Sequence, residues 1–359
     1  MEKRDTILFF SLLEFFSQMS SRGNALNALS NNSRGVISRH PTVSQGNQPG
    51  GVIFQQTSVS IATWNVRSLL TPESQRLFFQ NLISKEVDVC AVQECRIAGE
   101  GEVSQFGYSF YYVGQSDSQP GPRNHGVGIA VKGKFASSVA SIHRYSKRMM
   151  SLYIGDLDLW VVAAYAPTST ASESEAGRFY DELKEALAAS CTDRVVILGD
   201  FNARLSPLAS KMSPRDGPIG PFVDAARPER NGDLLTNFLT LEGLYSMASW
   251  FRHKKIHRGT WINPDSRISL ASRCSAIDHI VASESVRRCI TDCRVVRSAD
   301  VGSDHFLLAA RLEVSTVSRR SARQFREHFG ASGSGIYRWT PAAFPHSLHT
   351  SGFAISNEA

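Results

Sequence analysis

Short runs rich in apolar, β-branched and aromatic residues recur along the chain, each ended by a polar or glycine-containing break: residues 59–66, 87–94, 110–114, 126–131, 150–154, 159–166, 194–202, 276–282 and 306–312. Runs of this length and composition predict strands. Residues 74–84, 173–189 and 233–241 instead repeat apolar side chains every three or four positions, the spacing of one helix face. Asn231 stands just before the last of these and is placed to cap it. Many strands and few helices, without regular alternation, predict an α/β fold of two packed sheets with helices outside.

The flanks break this pattern. Residues 17–57 are rich in Ser, Asn, Gly and Gln, and residues 315–359 are similar, with Arg319, Arg320, Arg323, Arg326 and Arg338 outnumbering Glu327 and Glu358. Such stretches lack the apolar content to offset the entropy of ordering, so disordered extensions are expected over 1–57 and 315–359 around a domain at 58–314. Residues 7–16 are apolar, but Glu14 inside the run and Glu2 and Asp5 before it argue against a secretory leader, and the run is too short to span a bilayer. A nuclear or cytoplasmic location, no membrane association and no protein partner are therefore expected, for a monomer.

Composition adds little. Hydrophobic residues make up 42% of the 359 positions, enough for a sizeable core, and 39 Lys and Arg exceed 33 Asp and Glu, which suits an anionic partner. The six cysteines form no Cys-x-x-Cys pair and no zinc-finger spacing with His, the pattern of a reducing compartment.

Where the predicted strands end, chemistry-bearing side chains stand. Asn65 follows Ser-Ile-Ala-Thr-Trp, Glu94 follows Val-Cys-Ala-Val-Gln, and Tyr165 follows Trp-Val-Val-Ala-Ala. Asp200 and Asn202 follow Val-Val-Ile-Leu-Gly, Asp278 follows Ala-Ile, and Asp304 and His305 precede Phe-Leu-Leu. Each alone is an ordinary turn residue. Together they supply what hydrolysis of a phosphodiester needs. Glu94 and Asp304, with the neutral oxygen of Asn65, are hard ligands for Mg²⁺, or Mn²⁺ in its place. Asp200, held by Asn202, can orient or deprotonate a water, and His305, kept charged by Asp278, can donate to a phosphate oxygen. Substrate contacts are expected from Arg204, from Lys254 and Lys255 in the basic loop 252–258, and from Trp261, a ring for stacking or for the core.

In this order Thr-Trp-Asn-Val, Gln-Glu, Tyr-Ala-Pro-Thr, Gly-Asp-Phe-Asn, Ile-Asp-His-Ile and Ser-Asp-His resemble the endonuclease/exonuclease/phosphatase superfamily. The resemblance implies a four-layer α/β sandwich of DNase I type, two central mixed β-sheets flanked by helices, with the site at one edge. It implies metal binding at Glu94, Asn65 and Asp304, water activation at Asp200 with Asn202, phosphate contacts at Tyr165 and Asn202, and a His305–Asp278 dyad. Thr-Trp-Asn-Val-Arg, Asn231-Gly-Asp-Leu-Leu and Gly259-Thr-Trp-Ile-Asn-Pro further resemble the endonucleases of RTE-type non-LTR retrotransposons and host proteins derived from them. A metal-dependent DNA nickase of retrotransposon origin is the implied activity. A phosphatase of the same superfamily and a non-catalytic DNA-binding remnant stand as alternatives. One position departs from the pattern: abasic-site endonucleases place an Asp two residues after the Asn, and here it is Arg67.

Overall fold

Alternation along the strands sorts the side chains into layers. In β1 (Phe54–Asn65), Val59 and Ile61 join one buried cluster while Ala62 and Trp64 join another. In β8 (Leu159–Tyr165), Val161, Ala163 and Tyr165 join the first cluster while Trp160, Val162 and Ala164 face a third. The shared cluster is the slab between two sheets, and the other two lie under helices on the outer faces. The computed structural model describes residues 54–116, 124–206, 217–223, 229–265, 267 and 273–317, all within one compact unit that begins at Val52.

The first sheet runs β14-β15-β1-β2-β5-β4-β3, with β2 Val89–Gln93, β3 Glu100–Gln105, β4 Tyr108–Val113, β5 Val127–Lys132, β14 Ile290–Val296 and β15 Leu307–Val317. The second runs β10-β13-β9-β8-β7-β6, with β6 Val139–Ser146, β7 Met149–Ile154, β9 Val195–Asp200, β10 Tyr245–Ser246 and β13 Asp278–Ala282. Both sheets are mixed: β1 and β2 are parallel, β8 and β9 are parallel, and the other pairings are antiparallel. A two-stranded ribbon, β11 (Trp261–Ile262) with β12 (Cys274–Ser275), lies beside them.

Helix α1 (Pro72–Ser84) starts where Thr71 accepts a hydrogen bond from the Ser74 amide and proline occupies the first turn, and it buries Phe78, Phe79 and Leu82 on the first sheet. On the second sheet, α2 (Glu173–Ala188), capped by Ser172, buries Phe179 and Leu183, and α3 (Arg230–Leu241) buries Leu235, Phe238 and Leu239. The layers are therefore helix, sheet, sheet and helices, the expected four-layer α/β sandwich. The expected cap at Asn231 is corrected: α3 begins at Arg230, and Asn231 is a buried first-turn residue whose amide donates to the carbonyls of Pro167 and Asn202 at 3.0 Å each.

Residues 1–53 and 318–359, with most of the two expected extensions, lie outside the described residues. The β1–β15 ladder runs from Thr63↔Leu308 to Phe54↔Val317, past the expected bounds of 58 and 314. A fragment of residues 54–317 keeps this ladder whole and, with flanks expected from their composition alone not to fold, should unfold with the midpoint of the full chain. Trimming to 58–314 removes four residues of β1 and three of β15 and should cost about 1–3 kcal/mol, at a few tenths to one per cross-strand pair. Equal midpoints for the two fragments in urea titrations would show that this end of the ladder contributes nothing.

Candidate active site

Two parallel pairs bring the strand ends together. Because parallel strands finish at the same edge, Asn65 lies opposite Gln93 at the end of β1 and β2, and Tyr165 lies opposite Asp200 at the end of β8 and β9. Antiparallel neighbours begin where those strands end: Asp278 opens β13 opposite Asp200, and His305 lies two residues before β15. Gly199 is required here, since a Cβ at that position would sit 2.3 Å from the Ala164 carbonyl oxygen and force β8 from β9 beside Asp200. Past the strand ends the backbone turns sharply through left-handed residues: Arg67 (φ 59°), Glu94 (52°), Arg96 (58°) and Asn202 (47°). Hydrogen bonds hold these turns, among them Arg67 N–H to Asn65 Oδ1 at 3.1 Å and Asn202 N–H to Asp200 Oδ1 at 2.9 Å. The result is a cleft of about 480 Å³ lined by Glu94, Tyr165, Asp200, Asn202, Asp304 and His305 among others.

One connected array crosses the cleft floor. Asn65 Nδ2 donates both to Glu94 Oε1 at 3.1 Å and to Asp200 Oδ2 at 3.0 Å, so one amide ties two carboxylates. The Tyr165 hydroxyl donates to the same Glu94 oxygen at 2.9 Å. His305 Nδ1 lies 3.0 Å from Asp278 Oδ2, while its Nε2 faces Asp200 Oδ2 at 3.9 Å. Thr260 accepts from the Asp278 amide at 3.1 Å, and Ser303 donates to the Asn65 carbonyl at 2.7 Å and accepts from the His305 amide at 3.1 Å.

Burial and like charge set the electrostatics. Loss of hydration, then the neighbouring Asp278 charge, push the Asp200 carboxyl up to about 7, against the pull of His305, Asn65 and the Asn202 amide. For His305 burial opposes the charged form, but Asp278, with Asp200 and Asp304 beyond it, outweighs burial and raises it to about 9. Burial also opposes the charge of Glu94, yet hydrogen bonds from Arg96, Asn65 and Tyr165 hold it below the usual carboxylate range. Burial and then the Glu94 charge raise the Tyr165 phenol, which stays a donor. At neutral pH the site therefore holds an imidazolium beside a carboxylate poised to exchange a proton. An Asp278→Asn variant removes the charge that lifts His305 and leaves its burial. The His305 ring, followed by NMR in metal-free protein, should then titrate clearly lower than its wild-type value of about 9, with only Asp200 and Asp304 left to oppose burial. An unchanged titration would mean that Asp278 does not charge the ring.

The structure brings Asn65, Glu94, Tyr165, Asp200, Asn202, Asp278, Asp304 and His305 together, with Arg204 and Trp261 on the cleft wall. Trp261 is half-buried and donates its indole N–H to Asp304 Oδ2 at 3.1 Å, held there by the backbone bond from Ile262 N–H to the Asp304 carbonyl. Arg204 is turned toward Glu229 and Ser275. Lys254 and Lys255 are not among the lining residues; they stand exposed on a loop whose His253 and His257 pack against β14. Arg67 and Arg96 line the cleft instead. Sequence reasoning assigned neither a role, and the available signal was a basic residue two positions after Asn65 and two after Glu94.

Two donor sets stand ready for a divalent ion. Asp200, Asp278 and His305 present ligand atoms all within 4.8 Å of one another, a group able to hold a metal. Yet His305 Nδ1 is already engaged with Asp278, and a hard ion such as Mg²⁺ prefers oxygen alone. Glu94 and Asp304 offer oxygens to the cleft, and Asp304 Oδ1 is buried without a hydrogen-bond partner, a vacancy of the kind a cation fills. The carboxylates of Glu94 and Asp304 fit Mg²⁺ or Mn²⁺ better. The Asn65 amide lies between Glu94 and Asp200, its oxygen accepting from Arg67 N–H.

A four-layer sandwich with this cluster at the ends of its parallel strands defines a class: the chain belongs to the Endonuclease/Exonuclease/phosphatase family, whose model matches residues 62–305. Among curated relatives it is 28% identical over 270 residues to Craniofacial development protein 2 of Tragulus javanicus and of Bos taurus, over 74% of this chain. It spans only 44% and 43% of the length of those two relatives. Among solved structures it is similar to a 3'-5' exonuclease from Neisseria meningitidis (TM-score 0.52, 20% identity, 71% of this chain and 99% of the other). It is likewise similar to the AP endonuclease LMAP from Leishmania major (TM-score 0.54, 13% identity, 71% and 88%). At these identities the structures show the fold. Among the described residues no helix is long and apolar enough to cross a membrane.

Proposed function

We propose that the chain is a Mg²⁺-dependent phosphodiesterase that nicks DNA, with Mn²⁺ able to replace Mg²⁺. The observation that carries this reading is the continuous array Glu94–Asn65–Asp200–His305–Asp278, which places a proton acceptor, a cationic donor and oxygen ligands around one cleft. When bound to Glu94 and Asp304, the cation supplies charge to a phosphoryl oxygen. Asp200, raised to about 7, takes a proton from the attacking water, and Asn65 and the Asn202 amide fix both its oxygens for that task. His305, charged through Asp278, donates from Nε2 to phosphate oxygens as negative charge grows. Tyr165 and Asn202 face the same space.

DNA is favoured as substrate by the basic balance of the chain and the arginines on the cleft wall, and by the nuclease names of the solved neighbours. The motifs shared with RTE-type retrotransposon endonucleases support an origin in such an element. A second reading, DNA binding without cutting, is favoured by one observation: both oxygen ligands carry an arginine partner.

Nicking of supercoiled plasmid by the full chain tests the proposal. Cleavage should require Mg²⁺ or Mn²⁺, stop in excess EDTA and return when the metal is restored. Cleavage that persists in excess EDTA would sink the metal mechanism. Plasmid binding with no cut under any metal would favour the second reading, and release of phosphate from monoesters without nicking would favour a phosphatase.

A further inference from the structure

Each carboxylate that fits the metal has one oxygen held by uncharged donors and a guanidinium beside the other. One oxygen of each accepts from uncharged groups: Glu94 Oε1 from Asn65 and Tyr165, and Asp304 Oδ2 from the Trp261 indole. The other oxygen of each faces a guanidinium: Glu94 Oε2 accepts from Arg96 Nη2 at 2.7 Å, and Asp304 Oδ1, which has no hydrogen-bond partner, lies 3.5 Å from Arg67 Nη1 as an ion pair. These second oxygens, free of neutral donors, are the ones left for a cation, and each already has a guanidinium beside it.

These arginines differ from the third one in the cleft. Arg204 is anchored away from the ligands, to Glu229 and Ser275. Arg96 keeps its Nε buried without a partner, so its guanidinium is not fully satisfied where it lies, and the half-exposed Arg67 is open to solvent into which it can swing. The Arg96–Glu94 pair is also shielded, at 28% and 16% side-chain exposure, and so is stronger than an open surface pair. A carboxylate oxygen has lone pairs for two partners, but a guanidinium and a metal ion on one oxygen repel each other, so the two compete for it.

We propose that Arg96 and Arg67 are resident counter-ions of Glu94 and Asp304 that compete with a divalent cation and are displaced as it binds, leaving two freed guanidinium groups at the cleft for an anionic substrate. This rests on the metal-dependent reading given above. Metal and polyanion then assist each other, since each takes what the other releases, and the coupling is reciprocal.

Calorimetric titration of the full chain with MnCl₂, without DNA, tests the exchange. Arg96→Met keeps the aliphatic stem and removes the competing charge, and it should bind Mn²⁺ about three- to thirtyfold more tightly than wild type, the range for one released charge-assisted contact. Arg67→Ala should tighten binding by less, in keeping with its longer contact and greater exposure. Arg204→Ala, which removes a charge from the same cleft but not from a ligand, should leave the affinity near wild type. Glu94→Gln should bind Mn²⁺ far more weakly.

Wild-type or weaker affinity in Arg96→Met, with binding still lost in Glu94→Gln, overturns the exchange and leaves the metal reading standing. Equal tightening by Arg96→Met and Arg204→Ala also overturns it, because the effect would then be general charge. Unchanged Mn²⁺ binding in Glu94→Gln removes the metal reading itself. If Arg96→Met fails to fold, shown by loss of its thermal transition, Arg67→Ala against Arg204→Ala decides by the same comparison.

Discussion

Asp200→Asn is expected to lower single-turnover nicking by about 10²–10⁴, the range for one acid–base group, with only a small net change in stability. Asp200 is buried beside Asp278, and burial and like charge together push its carboxyl up to about 7. An amide of the same shape removes that repulsion but offers one acceptor to the two donors that Asp200 serves. It cannot accept a proton from water, so chemistry is lost while the stability terms oppose each other. His305→Ala should fall as far in turnover but also destabilise the fold by about 3–5 kcal/mol, because it strands the Asp278 carboxylate buried without its partner. Affinity for duplex DNA should hardly change in either variant, since backbone contacts spread along the duplex dominate it. In wild type, turnover should rise with pH as Asp200 loses its proton near 7 and fall as His305 loses its own near 9. Stopped single-turnover assays, DNA binding across a salt series and urea unfolding supply the readings. Full turnover in Asp200→Asn would refute its role as base.

What was legible in the sequence, and what was not, follows from where each residue faces. The central strands were legible because both faces are buried: all residues of β2, β8, β9 and β13 are, and such strands read as unbroken apolar runs. The strands that went unread are edge strands. β3 is exposed or half-exposed throughout, β6 has no fully buried residue, and β14 alternates buried with open positions, so none stands out against a loop. The site was legible for a related reason. Polar side chains at the ends of apolar strands are conspicuous, and parallel pairing then forces Asn65, Tyr165 and Asp200 to one edge. Lys254 and Lys255 lie in a basic loop, and charge alone does not say which way a loop faces; here it packs its histidines on β14 and leaves the lysines outside the cleft. The roles of Arg67 and Arg96 depend on left-handed turns that aim them back at the ligands, and no spacing rule announces that geometry.

Trp64 joins the packing of the fold to the position of the site, and its replacement is the second large effect expected. Its ring is fully buried between the first sheet and α1, 6.2 Å from the Phe78 ring, and its indole N–H donates to the His305 carbonyl at 3.1 Å. The segment before β15 is thereby tied to β1, with Ser303 making the reciprocal bond to the Asn65 carbonyl. Trp64→Ala should cost about 3–5 kcal/mol through lost burial and the cavity left behind. Against a typical total of about 5–15 kcal/mol that is a large part of the stability. Trp64→Phe separates packing from positioning. It keeps most of the apolar volume but leaves a buried carbonyl unpaired, at about 1–3 kcal/mol. Freed of that tie, His305 should sit less well against Asp200, and single-turnover nicking should fall by about tenfold with DNA affinity unchanged, since small misplacements of a reacting group are costly. The comparison requires urea unfolding and single-turnover nicking of both variants. A Trp64→Phe protein with wild-type turnover would show that the indole bond stabilises the sheet without positioning His305, whereas parallel losses in stability and turnover would tie the catalytic imidazole to the core beneath it.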